Sequence, residues 1–199
     1  YADDKNKWNS IDAAGNIKYV NIETRRGLDR QVYVNNTFYN NIAGYWGGVL
    51  YTNFPIVENA PVFFNCIFWD NVAATADNIY QDGTAAVNIS YCDIDIDEIH
   101  GPWEGDSNFY NNPVFCDNTC HLDCATPSPC IEKGTSELEI NGITYYAPVY
   151  DLDGDNRPLD IKHDVGADEV EICTVISGYR PEPKMLNLSV SPNPTQGKL

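Results

Sequence analysis

The sequence predicts an all-β protein in which short strands stack repeat upon repeat as a β-solenoid. The first observation is an internal repeat, because segments 36–43 (NTFYNNIA) and 66–73 (CIFWDNVA) align at an offset of 30 residues. Two further matches have offsets of 29 and 26 residues and join segments 47–51 with 76–80 and 65–68 with 91–94. The second observation is that the sequence lacks helical periodicity and joins short β-type runs by turns rich in Asn, Gly and Asp. A period of this length with such runs is typical of stacked β-coils.

Side chains alternate along a strand, which assigns each repeat position to the inside or the outside of the stack. The inward positions form two stacks, made by Cys66 and Cys92 and by Phe38, Phe68 and Ile94. Asn41 and Asn71 fall at a turn, where stacked Asn side chains can hydrogen-bond the backbone of the neighbouring repeat. The same parity predicts outward side chains at Thr37, Tyr39, Ile67, Trp69, Asp93 and Asp95.

Charge and cysteine content restrict the class of protein. The chain of 199 residues carries 12 Lys and Arg against 29 Asp and Glu, a formal net charge of −17. Nucleic acids and anionic membranes are unsuitable partners for such a surface, because both attract clustered Lys and Arg. No apolar run approaches the length of a transmembrane segment. Seven cysteines with a single Met fit an exported protein.

Two repeated motifs resemble those of a known family. Segments 38–41 (FYNN) and 68–71 (FWDN) fit FxxN, and segment 47–50 (GGVL) is similar to its companion motif GGA[ILV]. Both occur in right-handed parallel β-helix repeats of the polymorphic outer-membrane-protein type. The resemblance implies a right-handed parallel β-helix, of which residues 1–110 form the C-terminal coils.

An ordered set of closing motifs extends this resemblance. The motifs are NPVF at 112–115, SPCIEKG at 128–134, DLDGDNRP at 151–158 and DVGADE at 164–169. The set resembles the end of secreted bacterial β-helix proteins, which implies that residues 111–172 form an irregular, disulfide-containing cap.

The last residues resemble a different module. Segment 188–199 (LSVSPNPTQGKL) is similar to the first strand of the type IX secretion C-terminal sorting domain of Bacteroidetes. The resemblance implies a linker over 173–186, a truncated sorting domain over 187–199, and export to the medium or the outer-membrane surface by the type IX secretion machinery. We expect both ends of the chain to be cut from a longer protein.

The closing segment contains a candidate calcium site. Three carboxylates alternate around a glycine turn, namely Asp151, Asp153 and Asp155. Ca²⁺ binds such oxygen ligands, although an EF-hand would require Glu rather than Lys162 at its twelfth position. The alternative is a structural cap turn in which Arg157 pairs with a nearby acid, Asp164 or Glu169.

A second acidic patch has a catalytic and a structural interpretation. The period-2 run at 92–97 predicts a strand with its carboxylates on the outer face, and the patch comprises Asp93, Asp95, Asp97 and Glu98. On polyuronate-cleaving β-helices such a patch binds Ca²⁺, and a nearby Arg or Lys removes the substrate proton. Residues 99–128 contain no Lys or Arg, which favours a solvated strand face.

Aromatic residues supply the candidate ligand surface. The predicted ligand-binding residues are Tyr39, Trp69, Tyr45 and Trp46, and Tyr51 and Trp103 are further exposed candidates. Sugar rings stack on such faces, although large aromatics also cover the edges of coils. We therefore expect a non-catalytic glycan-binding, adhesive or structural module with a polysaccharide or cell-surface glycan as partner. The alternative is the C-terminal part of a polysaccharide lyase or glycoside hydrolase.

The cysteines divide into two groups. Cys66 and Cys92 are predicted to be free, buried and stacked. Disulfide candidates in the cap are Cys116, Cys120, Cys124 and Cys130, with connectivity left open. A metal cluster of Cys116, Cys120, Cys124 and His121 is the alternative, although its spacing differs from structural zinc sites.

Overall fold

The computed structural model describes residues 7–11, 17–21, 30–53, 56 and 59–171, the first two ranges as backbone only. These residues contain thirteen short strands and one 3₁₀-helix (Ile96–Glu98), and they include no α-helix. In chain order the strands are β1 (Lys7–Ile11), β2 (Ile17–Asn21), β3 (Val32–Val34), β4 (Thr37–Tyr39), β5 (Leu50–Thr52), β6 (Val62–Phe64), β7 (Ile67–Trp69), β8 (Ile79–Gln81), β9 (Val87–Ser90), β10 (Ile99–His100), β11 (Trp103–Glu104), β12 (Glu137–Ile140) and β13 (Ile143–Tyr146). The all-β prediction is confirmed, and none of these elements is a helix able to cross a bilayer.

Three of the five sheets are parallel. Within each of these sheets, neighbouring strands come from successive repeats of the chain. Their strand orders are β3-β6-β9-β11, β4-β7 and β5-β8-β10. The pairs β1-β2 and β12-β13 are antiparallel. Phe38 lies opposite Phe68 and Tyr51 lies opposite Tyr80, which reproduces the repeat offsets of the sequence.

Residues with left-handed backbone end the short strands at equivalent places. Asn35 and Asn65 have φ of 51° and 53°, and Asn40 and Asp70 have φ of 53° and 52°. Asn and Asp tolerate this conformation better than most residues. Asn65 Nδ2 also donates to Asn35 Oδ1 at 3.1 Å, so the corners are joined from one repeat to the next.

The predicted asparagine stack is present. Asn41 Nδ2 donates to Asn71 Oδ1 at 2.8 Å, and Asn71 Nδ2 donates to the Phe38 carbonyl at 3.0 Å. Both side chains are buried, so these bonds satisfy polar groups that would otherwise be costly inside the protein.

The inward parity prediction is also confirmed. The five residues that it places inside are at most 7% exposed, namely Phe38, Cys66, Phe68, Cys92 and Ile94. The Phe38 and Phe68 rings lie 5.0 Å apart, and Phe63 stacks on Tyr33 at 4.5 Å. Aromatic pairs therefore run from repeat to repeat through the core.

Thr37, Ile67 and Asp93 are predicted to face outward, yet all three are buried. The closing segment covers this face, because Thr37 Oγ1 accepts a hydrogen bond from the Ala167 amide at 3.0 Å. Gly166 sits so close that a Cβ atom there would lie 2.5 Å from Ile67 Cδ1, and its φ is +108°. Only glycine suits this contact.

The strand predicted over 92–97 is also wrong. Asp93 forms single parallel bridges with Ile67 and Phe109. The chain then turns into the 3₁₀-helix, whose first turn is capped by Asp95 Oδ1 accepting from the Asp97 amide at 3.1 Å. Asp93 is buried and Asp97 is exposed, so the acidic patch does not form one outer face.

Candidate functional site

A row of exposed and half-buried aromatic side chains crosses the β5-β8-β10 sheet. Tyr51 lies opposite Tyr80, and Tyr80 lies opposite His100, so the three rings form a ladder along the stacking direction. Trp46 and Tyr45 extend the row from the preceding turn. We call these five residues the aromatic strip.

The rings of the aromatic strip hold one another in place. The centroids of Tyr80 and His100 are 4.2 Å apart, and those of Tyr51 and Tyr80 are 5.8 Å apart. Trp46 contacts both tyrosines, with its centroid 5.5 Å from Tyr51 and 5.6 Å from Tyr80. Tyr45 is 76% exposed, Trp46 50% and Tyr51 48%, so all three keep open ring area.

A glycine turn positions Trp46 against the ladder. Gly47 has φ of +55°, and a Cβ atom on it would lie 2.1 Å from the Leu50 carbonyl oxygen. A Cβ atom on Gly48 would lie 2.2 Å from the Asp77 carbonyl oxygen. Both positions therefore require glycine, and Trp46 just before them forms a parallel bridge with Thr75.

The structure separates the four predicted ligand residues into two groups. Tyr45 and Trp46 belong to the aromatic strip. Tyr39 and Trp69 lie opposite each other on β4 and β7 and are half-buried. Their rings contact the start of the cap, Tyr39 against Phe115 at 5.3 Å and Trp69 against Tyr110 at 5.4 Å. These two side chains therefore cover an edge, as the structural alternative proposed.

Sequence reasoning missed Tyr80 and His100 as members of the strip. The sequence contains a signal for Tyr80, because the match at an offset of 29 aligns it with Tyr51. His100 joins the ladder through a shorter repeat, in which β10 follows β8 by only 20 residues. No offset in the sequence indicated that spacing.

The predicted calcium run forms a compact turn. Asp151 Oδ1 accepts hydrogen bonds from the backbone amides of Asp153, Gly154 and Asp155 at 2.8–2.9 Å. Its other oxygen accepts from the Glu169 amide at 3.2 Å. Both oxygens of Asp151 thus hold the backbone, and Asp153 faces His121 instead. Calcium binding by this run remains a prediction.

The cap encloses the ion pair that the structural alternative predicted. Arg157 Nη1 lies 2.8 Å from Glu169 Oε2, and both side chains are 1% exposed. Arg157 Nη2 also donates to the Gly166 carbonyl at 3.1 Å. Burial raises the pKa of Glu169, and Arg157 opposes that rise. The pair fastens the end of the cap to the turn after Asp155.

Two more carboxyl groups are buried where the cap meets the sheets. Burial raises the pKa of Asp93 to about 6, and burial raises that of Asp164 to about 7. Asp93 Oδ1 accepts from the Asn111 amide at 3.0 Å, and the Cys130 thiol donates to its Oδ2 at 3.3 Å. Asp164 accepts from the Glu132 amide at 2.8 Å. Their hydrogen bonds join distant parts of the chain, so both carboxyl groups serve the packing of the interior.

The disulfide prediction is wrong for most of its candidates. Cys116, Cys120 and Cys130 are free thiols, and Cys124 alone among the four candidates is in a disulfide. Cys130 is fully buried and its thiol donates to Asp93, so it is a small core residue of the cap. Cys66 and Cys92 are free and buried as predicted, with the Cys66 amide 3.4 Å from Cys92 Sγ.

The described residues therefore define an all-β protein with parallel sheets, a packed cap and an exposed aromatic strip. Comparison of the chain with protein-family models, with curated proteins and with solved structures finds no match. Inferences about function consequently rest on the geometry of the strip and on the motifs of the sequence.

Proposed function

We propose that this chain is an exported, non-catalytic module that binds glycans through the aromatic strip. The observation that carries the proposal is the exposure of Tyr45 and Trp46 on a rigid ladder of aromatic rings. Contiguous exposed apolar patches larger than about a few hundred Å² mark interaction sites in soluble proteins. The face of an aromatic ring packs against the C–H groups of a sugar. Tyrosine also has a hydroxyl group that can hydrogen-bond a sugar.

Rigidity favours binding by this surface. Trp46 is packed against Tyr51 and Tyr80, so its side chain has few rotamers to lose when a ligand binds. Ordering a mobile side chain costs roughly 0.5–1.5 kcal/mol on association, and a preorganised ring avoids most of that cost. A ligand that extends along the stacking direction contacts several members of the strip at once.

Charge favours a neutral glycan over a polyuronate. The chain carries a net charge of −17, and the aromatic strip itself contains no carboxylate. A polyanion approaching this molecule meets long-range repulsion. We therefore propose a neutral polysaccharide as the ligand class.

We infer that the parallel sheets belong to a right-handed parallel β-helix. Support comes from registers at offsets of 30, 29 and 26 residues and from the left-handed corners at matching positions. Crossover connections between parallel strands of one sheet are right-handed in about 98% of cases. The repeats and closing motifs resemble secreted β-helix proteins in the same order.

Export is proposed from the sequence. The linker over 173–186 and the sorting segment over 187–199 lie outside the described residues. The resemblance of segment 188–199 to the type IX sorting domain supports secretion and display at the outer-membrane surface. A glycan-binding surface module is consistent with that location.

The lyase alternative requires carboxylates and a basic residue on one outer face. In the described part of the chain Asp93 is buried under the cap and Asp95 caps the 3₁₀-helix. This arrangement favours the non-catalytic proposal.

Glycan-array binding of the full chain, with Ca²⁺ and again with EDTA, tests the proposal. We expect selective binding to one class of neutral polysaccharide, retained in EDTA because the strip has no carboxylate. Trp46→Ala should abolish the signal. Tyr146→Ala is the matched control, because Tyr146 is 62% exposed on the distant hairpin strand β13. Binding to no glycan, or undiminished binding by Trp46→Ala, would contradict the proposal.

A further inference from the structure

Three potential metal ligands meet in the cap from three separate stretches of chain. His121, Asp153 and Asp168 each offer one ligand atom, and these atoms all lie within 4.8 Å of one another. We propose that these residues bind a divalent transition-metal ion of the Zn²⁺ class, independently of any glycan.

The imidazole of His121 is oriented for metal binding. Its Nδ1 lies 2.5 Å from Asp117 Oδ2, and its Nε2 lies 2.9 Å from Asp153 Oδ2. A metal ion on Nε2 would take the place of the proton that Nε2 shares with Asp153, while Nδ1 donates its proton to Asp117. Metal-bound histidines almost always donate their other ring N–H to a carboxylate or carbonyl in this way. Asp117 is itself fixed by the Thr119 amide, which donates to its Oδ1 at 2.8 Å.

Asp168 supplies a buried carboxylate to the cluster. The residue is 6% exposed, and its Oδ2 accepts from the Leu122 amide at 2.8 Å. A buried carboxylate is costly unless it is paired or coordinates a metal.

The charges around this point are unbalanced. Three carboxylates, those of Asp117, Asp153 and Asp168, surround a single imidazole. Arg157 is paired with Glu169, and its charge also acts on Asp168. A divalent cation between His121, Asp153 and Asp168 would balance most of this negative charge.

The ligand set indicates the metal class. An imidazole nitrogen with two carboxylate oxygens suits Zn²⁺ and its neighbours, whereas Ca²⁺ and Mg²⁺ prefer all-oxygen sites. Bonds of 2.0–2.1 Å in tetrahedral geometry place ligand atoms about 3.3 Å apart. His121 Nε2 and Asp153 Oδ2 lie 2.9 Å apart, and this pair can adjust to that spacing because the Asp153 side chain is 53% exposed on a surface turn. Three protein ligands leave the fourth position to water.

Binding would tie the loop that carries His121 to the turn that carries Asp153 and to the end of the cap. An ion that binds only the folded state stabilises it in proportion to the logarithm of its concentration. We therefore expect Zn²⁺ to raise the melting temperature of the full chain.

Calorimetric titration of the chelator-treated full chain with ZnCl₂ tests the site. We expect one Zn²⁺ per chain, at least tenfold weaker binding for His121→Gln and for Asp153→Asn, and roughly tenfold weaker binding for Asp117→Asn. Asp155→Asn is the matched control, because Asp155 is exposed on the same turn and lies outside the ligand cluster. Absence of saturable Zn²⁺ binding by the wild-type chain would overturn the proposal, as would wild-type affinity in a well-folded His121→Gln variant.

Free thiols require a second measurement. Cys116 and Cys120 lie close to His121 in sequence and could bind Zn²⁺ instead. Titration with Co²⁺ distinguishes the two, because thiolate ligands give a near-ultraviolet charge-transfer band that carboxylate and imidazole ligands lack. We expect visible Co²⁺ absorption without that band. Its presence, or displacement of Zn²⁺ by equimolar Ca²⁺, would overturn the proposal.

Discussion

The carboxyl group of Asp93 lies between two layers of the molecule, with the sheets on one side and the cap on the other. It is 0% exposed, and its hydrogen bonds come from the Asn111 amide and the Cys130 thiol. Neither donor is charged, so the ionised form gains little to offset its lost hydration. Burial therefore raises its pKa from 3.8 to about 6.

This shift predicts a specific pH dependence of stability. Between 3.8 and about 6 the folded state binds more protons at Asp93 than the unfolded state does, so the free energy of unfolding falls as pH rises through that window. The Asn side chain of Asp93→Asn is uncharged at every pH. The variant should therefore lack this part of the fall in the free energy of unfolding, about 2 kcal/mol. Urea unfolding of both proteins at pH 4 and pH 8 measures it. An equal fall in wild type and variant would show that Asp93 is not the source.

The buried ion pair of the cap predicts a second effect. Glu169→Ala leaves the Arg157 guanidinium, 1% exposed, without its carboxylate partner. Breaking such a pair from one side costs about 3–5 kcal/mol. We expect that loss in urea unfolding at pH 7. Glu137→Ala, on an exposed position of β12, should change stability by no more than about 0.5 kcal/mol. A similar small loss of stability in both variants would contradict the assignment of Arg157 and Glu169 as a buried ion pair.

At the scale of strands, the molecule is held by identical or similar side chains placed over one another. Phe38 and Phe68 stack between β4 and β7, and Asn41 binds Asn71 at the turn that follows them. Parallel pairing in register makes these contacts recur from one repeat to the next. The stability of each short strand therefore depends on its neighbours more than on its own three residues.

Phe68→Ala tests this dependence. Phe68 is 1% exposed and contacts both Phe38 and Phe63, with centroids at 5.0 and 5.3 Å. Removing a buried phenyl ring costs about 3–5 kcal/mol through lost burial and the cavity that remains. Equilibrium denaturation measures the loss, with the exposed Tyr146→Ala as control. A loss below about 1 kcal/mol would contradict the inward placement of Phe68.

The sequence predicted the contacts between repeats well because those contacts join equivalent positions. Offsets of 30, 29 and 26 residues gave the partners of Phe38, Tyr51 and Cys66. Alternation alone could not reveal that Ile67 is buried. Its cover is Val165, almost one hundred residues later, and nothing local in the sequence encodes that contact. The same long-range packing made Cys130 a core thiol instead of a disulfide partner.

Over the whole molecule, the two candidate sites belong to different parts of the structure. The aromatic strip lies on the β5-β8-β10 sheet, whereas His121, Asp153 and Asp168 belong to the cap. Sequence analysis identified Tyr45, Trp46 and Asp153 individually. It could not assemble either site, because ring stacking and the meeting of three loops depend on the completed fold. The two proposals can therefore fail separately.

The most direct test of the central claim is calorimetric titration of the full chain with an oligosaccharide of the polysaccharide class selected on the array. We predict that Trp46→Ala weakens binding at least tenfold, since it removes the best-supported exposed ring of the strip. Tyr146→Ala should bind as the wild type does. Equal affinity of wild type and Trp46→Ala would contradict the assignment of the aromatic strip as the glycan-binding surface.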